Sequence, residues 1–282
     1  MTSKRYRLIS VLSLEEQMVD RILFGPFSKV ELSKCLTIPG KSGWAPLPVG
    51  FKLFESCFTS SCLATDCAAF DWTFPEWVSK LLCELYIDTL INPSAEYCRA
   101  LRTRWAQVLD RAIFRLPDGT RLLQTQPGMM KSGWYRTIGV NSAAQVLIHD
   151  LAALRAGIQS PPQKWTMGDD VLISWPTDLP DAAFNKALET TGILVKQSER
   201  DAMFAGFRFS PGRVTPLYPA KHLFMLRYVV SAQAAVVADS FMLMYAMADP
   251  EDALAQRVRR TVTERTTITS RYALSWALGL GK

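Results

Sequence analysis

Lys164-Trp165-Thr166-Met167-Gly168-Asp169-Asp170-Val171-Leu172-Ile173-Ser174-Trp175 sets two apolar runs on either side of a glycine–aspartate step. Such a step between strand-like runs is a hairpin signal, and it puts two carboxylates at the tip. Alone, an Asp-Asp turn is ordinary turn chemistry. Two other segments change that reading. Thr65-Asp66-Cys67-Ala68-Ala69-Phe70-Asp71 carries two aspartates five positions apart, and Ser132-Gly133 is followed by Thr137, Asn141 and Ser142. In this order the three pieces supply what a two-metal nucleotidyl-transfer site needs. Phosphoryl transfer of that kind uses two divalent ions about four ångströms apart, one activating the attacking oxygen and one steadying the leaving group. Hard cations bind carboxylate oxygens. A strand exit and a hairpin tip can share one sheet edge, so Asp66 and Asp169 are candidate metal ligands, with Asp170 as an auxiliary one.

Working outward, Cys62 to Asp66 reads as a short buried strand. Thr73-Phe74-Pro75-Glu76 looks like a capping box, followed by Trp77, Val78, Leu81, Leu82 and Leu85 at helical spacing. Residues 7–24 form an apolar-periodic stretch expected to be helical after a basic extended start. Residues 37–50, rich in Pro and Gly, read as loop. Gly40-Lys41-Ser42 imitates the end of a phosphate-cradling loop, but the glycine that motif needs five positions earlier is replaced by Cys35. A helix is expected over 135–155, ending at Gly157, and another over 181–190, closed by Gly192. Residues 193–196 read as a strand, and 204–209 with 214–218 as a hairpin around Ser210-Pro211-Gly212. The chain beyond Lys221 reads as mainly helical. Strands and helices mixed in this way indicate an antiparallel sheet covered by helices, an α+β fold.

The 282 residues carry a formal charge of +6 and are 49% hydrophobic, a globular composition with a mild preference for anionic partners. Basic residues cluster at Lys4, Arg5 and Arg7, at Arg99, Arg102 and Arg104, and at Arg257, Arg259, Arg260, Arg265 and Arg271. Each cluster alone is equally a solvated face. The six cysteines form no Cys-x-x-Cys pair, and His149 and His222 are the sole histidines, which argues against a zinc site. The cysteines read as small buried residues of a reducing compartment. No signal peptide is expected, and the apolar stretch 223–247 is interrupted by Arg227, Gln233 and Asp239, which suits a buried helix pair better than a membrane span.

The series Asp66-x4-Asp71, Ser132-Gly133-x3-Thr137-x3-Asn141-Ser142 and Gly168-Asp169-Asp170 resembles motifs A, B and C of the RNA-dependent RNA polymerases of positive-strand RNA viruses. Arg5-Tyr6-Arg7-Leu8-Ile9-Ser10-Val11-Leu12-Ser13-Leu14 is similar to the basic F motif of the sobemovirus, polerovirus and barnavirus group. Residues 192–196 resemble motif D, and Phe204-Ala205-Gly206-Phe207 with Lys221 resembles motif E. The resemblance covers the chain to about residue 226. It implies a right-hand polymerase: partial fingers over 1–60, a palm over 61–222 with a fingers insertion at about 90–127, and a small helical thumb over 223–282.

The resemblance also implies roles. Asp66, Asp169 and Asp170 hold two Mg2+ or Mn2+ ions. Asp71 and Asn141 sense the ribose 2′-hydroxyl, a pairing that a deoxyribose would leave unmatched. Ser132 and Gly133 position template and nucleotide, with Thr137 as their helical support. Lys4, Arg5 and Arg7 grip the triphosphate. Lys196 is the general acid for pyrophosphate departure, and Lys221 contacts RNA. Outside the resemblance, the arginines from Arg257 onward, Arg257 and Arg260 among them, read equally as a product-RNA contact on the thumb or as a polar helix surface. The implied partners are RNA template and product, ribonucleoside triphosphates, and other replication proteins or an upstream segment of a longer precursor. The implied place is the host-cell cytoplasm, in replication complexes that reach membranes through other segments. The chain begins almost at motif F, where the family has a longer fingers region, so a fragment or compact relative is expected. Two other readings share parts of the pattern. A reverse transcriptase would place a bulky side chain where Asp71 stands, and a non-catalytic RNA-binding palm would lack one of the metal-binding aspartates.

Overall fold

The computed structural model describes residues 9–280. In chain order the elements begin with α1 (Leu14–Lys34), α2 (Phe51–Cys57), β1 (Cys62–Cys67), α3 (Phe70–Thr73), α4 (Glu76–Asp88) and α5 (Ala95–Leu109). Next come β2 (Ile113–Arg115), β3 (Arg121–Leu123), α6 (Thr137–Arg155), β4 (Lys164–Met167), β5 (Asp170–Ser174), α7 (Asp181–Glu189) and β6 (Val195–Glu199). The remainder is β7 (Met203–Phe204), β8 (Phe207–Ser210), β9 (Arg213–Pro216), α8 (Pro219–Leu226), α9 (Ala234–Met244), α10 (Ala253–Thr263) and α11 (Ser270–Ala277). By contacts the chain forms two units. The first takes the residues up to Gly43, Thr65–Ile173 and Asp178–Ser198; the second takes Trp44–Ala64, Ser174–Thr177 and the residues from Glu199 onward.

The first unit is built on a four-stranded sheet in the order β4-β5-β1-β6, with β4 and β5 antiparallel. Helix α6 packs on β4, α4 and α7, and its fully buried Val140, Ala144, Ile148 and Ala152 recur every fourth residue on the face it presents to them. A second cluster joins α1, α5 and the loop before α6, where Phe24, Trp105 and Trp134 meet with ring centroids 5.4–6.2 Å apart. The two helices are also locked by charge: buried Arg104 donates to both oxygens of fully buried Asp20, at 2.7 and 3.1 Å, and to Glu16 at 3.1 Å. The second unit holds the antiparallel sheet β7-β8-β9, against which Trp44 and Phe54 pack through Phe204 and Phe209, and the helices α8 to α11.

Several local expectations need correction. Helix α1 starts at Leu14, later than expected, because Ser13 and Glu16 form a reciprocal capping box, and it runs through Pro26 to Lys34. The box expected at Thr73 does not form: Thr73 belongs to α3, its hydroxyl points back to the Ala68 and Ala69 carbonyls, and α4 starts after Pro75 without a side-chain cap. The strand expected over 204–209 breaks at Ala205-Gly206, where both residues take positive φ and close a two-residue hairpin between β7 and β8. The strand expected at 193–196 lies two residues later, as β6. Cys57 and Cys98 are half-buried rather than buried, and all six thiols are free. Lys41 of the phosphate-loop imitation is buried, donating to the Cys35 and Ile38 carbonyls over the Trp165 ring. Among the described residues no helix is long and apolar enough to cross a membrane.

Candidate active site

Met167 pairs with Asp170 across β4 and β5, so Gly168 and Asp169 are the two-residue turn. Gly168 takes φ +65°, the conformation such a turn requires and glycine adopts without strain. Helix α6 fixes the tip. The Gly168 N–H donates to Ser142 Oγ at 3.0 Å, Thr166 Oγ1 donates to the Ser142 carbonyl at 2.9 Å, and Gln145 Nε2 reaches the Asp169 carbonyl at 3.4 Å. The hairpin carboxylates are thus positioned by the backbone to which they belong, and the backbone by a helix.

Asp66 lies near the end of β1, between β5 and β6 in the sheet. Its carboxylate forms an ion pair with Lys196 of β6. Asp170 senses the neighbourhood: crowding by protein atoms, then the charges of Asp169 and Asp66, push its carboxyl up to about 6, against the pull of Lys196. Asp170 therefore feels both other carboxylates across the sheet edge. Among the described residues, no three His, Cys, Asp or Glu side chains stand gathered as a metal cage.

Asp71 follows a sharp turn at Ala69, which takes the left-handed conformation. Its carboxylate accepts from two sides, from the Ser132 hydroxyl and from Asn141 Nδ2 at 3.0 Å. Its carbonyl accepts the Met130 N–H at 2.8 Å. Asn141 is buried, and its Oδ1 has no hydrogen-bond partner. Gly133 takes φ +107°, and a Cβ there would stand 2.5 Å from the Ser10 carbonyl oxygen. The Ser10 N–H in turn donates to the Ser132 carbonyl at 2.9 Å. Thr137 Oγ1 donates to the Lys131 and Trp134 carbonyls, both at 2.8 Å, closing the loop onto the start of α6.

Sequence reasoning missed several supporting residues. Gln145 and His149 continue from Asn141 at intervals of four, a polar stripe on an otherwise apolar helix that was visible as a spacing. His149 bonds Thr65 Oγ1 and the Gln145 carbonyl, both at 2.8 Å, and burial holds its imidazole down to about 4, neutral at physiological pH. Gln145 also donates to Cys67 Sγ at 3.5 Å. Lys131, beside Ser132, is buried, donates to Gln124 Oε1 and to the Met129 carbonyl, and is lowered by burial to about 8.

Asp66, Asp169, Asp170 and Lys196 thus share one edge of the sheet, while Asp71, Ser132, Gly133, Thr137 and Asn141 meet through the loop and α6. Lys4, Arg5 and Arg7 lie outside the described residues. Lys221, Arg257 and Arg260 belong to the second unit and are exposed, the two arginines one turn apart on α10.

A family model described as viral RNA-directed RNA-polymerase matches residues 59–210. Protein P1-P2 of Pea enation mosaic virus-1 is 30% identical over 269 residues, covering 87% of this chain and 21% of that protein. Replicase polyprotein P2AB of Southern bean mosaic virus is 33% identical over 184 residues, covering 61% of this chain and 18% of the polyprotein. The chain spans about a fifth of the length of the curated relatives it matches. Among solved structures, the RNA-dependent RNA polymerase of a human picorbirnavirus shares the fold, with a TM-score of 0.66 at 14% identity over 98% of this chain and 53% of that one.

Proposed function

From membership of the viral RNA-directed RNA polymerase family, to which this chain belongs, we propose that it extends an RNA 3′ end on an RNA template, releasing pyrophosphate, in viral genome replication. The observation that carries the reading is the junction built by α6: one helix holds Asp71 through Asn141 and the Gly168-Asp169 turn through Ser142 and Gln145. The fold likeness to the picorbirnavirus polymerase supports the frame on which this junction stands.

The acidic edge suits hard divalent ions. Its donors are carboxylate oxygens, and their mutual repulsion, felt by Asp170, is what a divalent cation relieves. Asp66, Asp169 and Asp170 would hold two Mg2+ or Mn2+ ions. When bound, these supply activation of the attacking oxygen and charge neutralisation on the leaving pyrophosphate. Asp71 and Asn141 select the ribose: the Asn141 Oδ1 left without a partner suits a sugar hydroxyl, and Asp71 holds the amide in place. Ser132 and Gly133 line the path of template and nucleotide, with Thr137 fixing their loop. Lys196 provides the proton for departing pyrophosphate, and Lys4, Arg5 and Arg7 receive the triphosphate. Lys221, Arg257 and Arg260 contact RNA. In this reading 61–222 is the palm with a fingers insertion at about 90–127, 1–60 belongs to the fingers and 223–282 to the thumb. The chain works as part of a larger replicase, as the lengths of its relatives suggest, in cytoplasmic membrane-associated complexes.

The test is incorporation of labelled ribonucleotide on a primed RNA with Mg2+ or Mn2+, comparing wild type with Asp169→Ala. The variant should lose at least the roughly 10–100-fold that removal of even an outer partner costs a metal site. Equal incorporation by both would remove the metal assignment.

A further inference from the structure

Lys196 stands on β6 beside β1, and its ammonium is ion-paired with the Asp66 carboxylate. Neither partner is sealed off, since the Lys196 side chain is 59% exposed and that of Asp66 33%. The ammonium also acts beyond Asp66. Its charge reaches Asp170, the hairpin carboxylate at the start of β5, the strand on the other side of β1. A lysine ammonium is a compact positive charge on a flexible stem, able to enter and leave such a position without moving the strands. Nothing in the chemistry of pyrophosphate departure requires it to sit on Asp66.

We propose that Lys196 is a resident counter-cation of the acidic edge, which an incoming divalent ion displaces from Asp66, so that metal loading and release of this ammonium are one event. The proposal rests on the reading above that Asp66, Asp169 and Asp170 take divalent ions. By linkage, a cation that must leave lowers the apparent affinity of the one that replaces it. Removing the lysine charge should therefore tighten metal binding. An exposed ion pair sets the scale, about two- to fivefold in affinity. The exchange also gives timing. The ammonium leaves its carboxylate only once the metal is in, which is when a positive, protonated group is useful beside a triphosphate.

The experiment is direct binding of Mn2+ to the whole chain without RNA or nucleotide, read from the spin-resonance signal of the free ion. Lys196→Met should bind Mn2+ about two- to fivefold more tightly than wild type. Lys196→Arg, which keeps the charge, should stay near wild type. Asp169→Ala is the control for the site itself. If Asp169→Ala weakens binding but Lys196→Met leaves it unchanged or weaker, the counter-cation proposal is overturned while the metal site stands. Equal tightening by Lys196→Met and Lys196→Arg also overturns it, because charge is then not the cause. If Asp169→Ala binds Mn2+ as wild type does, the metal reading fails and takes the proposal with it.

Discussion

At the scale of single residues, the site is defined by groups whose alternatives are sterically or electrostatically closed. Gly133 is the sharpest case. Its backbone lies in the left-handed region, and the space where a Cβ would stand is taken by the Ser10 carbonyl oxygen. Gly133→Ala should cost about 1–3 kcal/mol of stability through backbone strain, seen as a lower denaturant midpoint, and should impair nucleotide incorporation beyond that loss because Ser132 must shift off Asp71. Wild-type stability in that variant would mean that the loop adapts freely. His149 shows the opposite economy. Held neutral and bonded at both ring nitrogens, it braces Thr65, the residue before a candidate metal ligand, without being a ligand itself.

At the scale of elements, most of the frame is legible in sequence order. The hairpin around Gly168-Asp169, the strand that carries Asp66 near its end, the helix up to Arg155 and the helix from Asp181 all follow from apolar periodicity and turn residues close to one another in the chain. What is illegible is either a competition between caps or a contact across the chain. Thr73 and Ser13 carry the same signature, but the sharp turn at Ala69 draws Thr73 into α3, leaving Ser13 as the working cap. The pairing of Lys196 with Asp66 depends on β6 lying beside β1, which no local pattern states. The same holds for Arg104, which reads as one of a basic trio yet is buried on Asp20 between α5 and α1. Asp20→Ala should therefore destabilise by about 3 kcal/mol, the low end for breaking a buried pair because Glu16 still reaches the guanidinium. Urea denaturation checks it, and pairing Asp20→Leu with Arg104→Met should recover part of the loss. A loss below about 1 kcal/mol would mean that water enters and solvates Arg104.

At the scale of the whole molecule, charge and connectivity carry the expectations. Arg257 and Arg260 lie exposed on α10, and if they contact single-stranded RNA, replacing both with Gln should flatten the dependence of log affinity on log salt by about 1.4. Binding isotherms at several salt concentrations give that slope, and an unchanged slope assigns the contact to other residues. The connectivity is interleaved: the first unit is drawn from three stretches of chain and the second alternates with them. That arrangement bears on inheritance. A genetic exchange between related genomes with its breakpoint anywhere between residues 44 and 198 joins halves of both units from different parents. One falling just after residue 198 leaves the unit that carries every candidate catalytic aspartate wholly from one parent. Hybrids of the second kind keep their acidic edge, the loop at Ser132 and α6 co-adapted, so viable recombinants are expected to concentrate there.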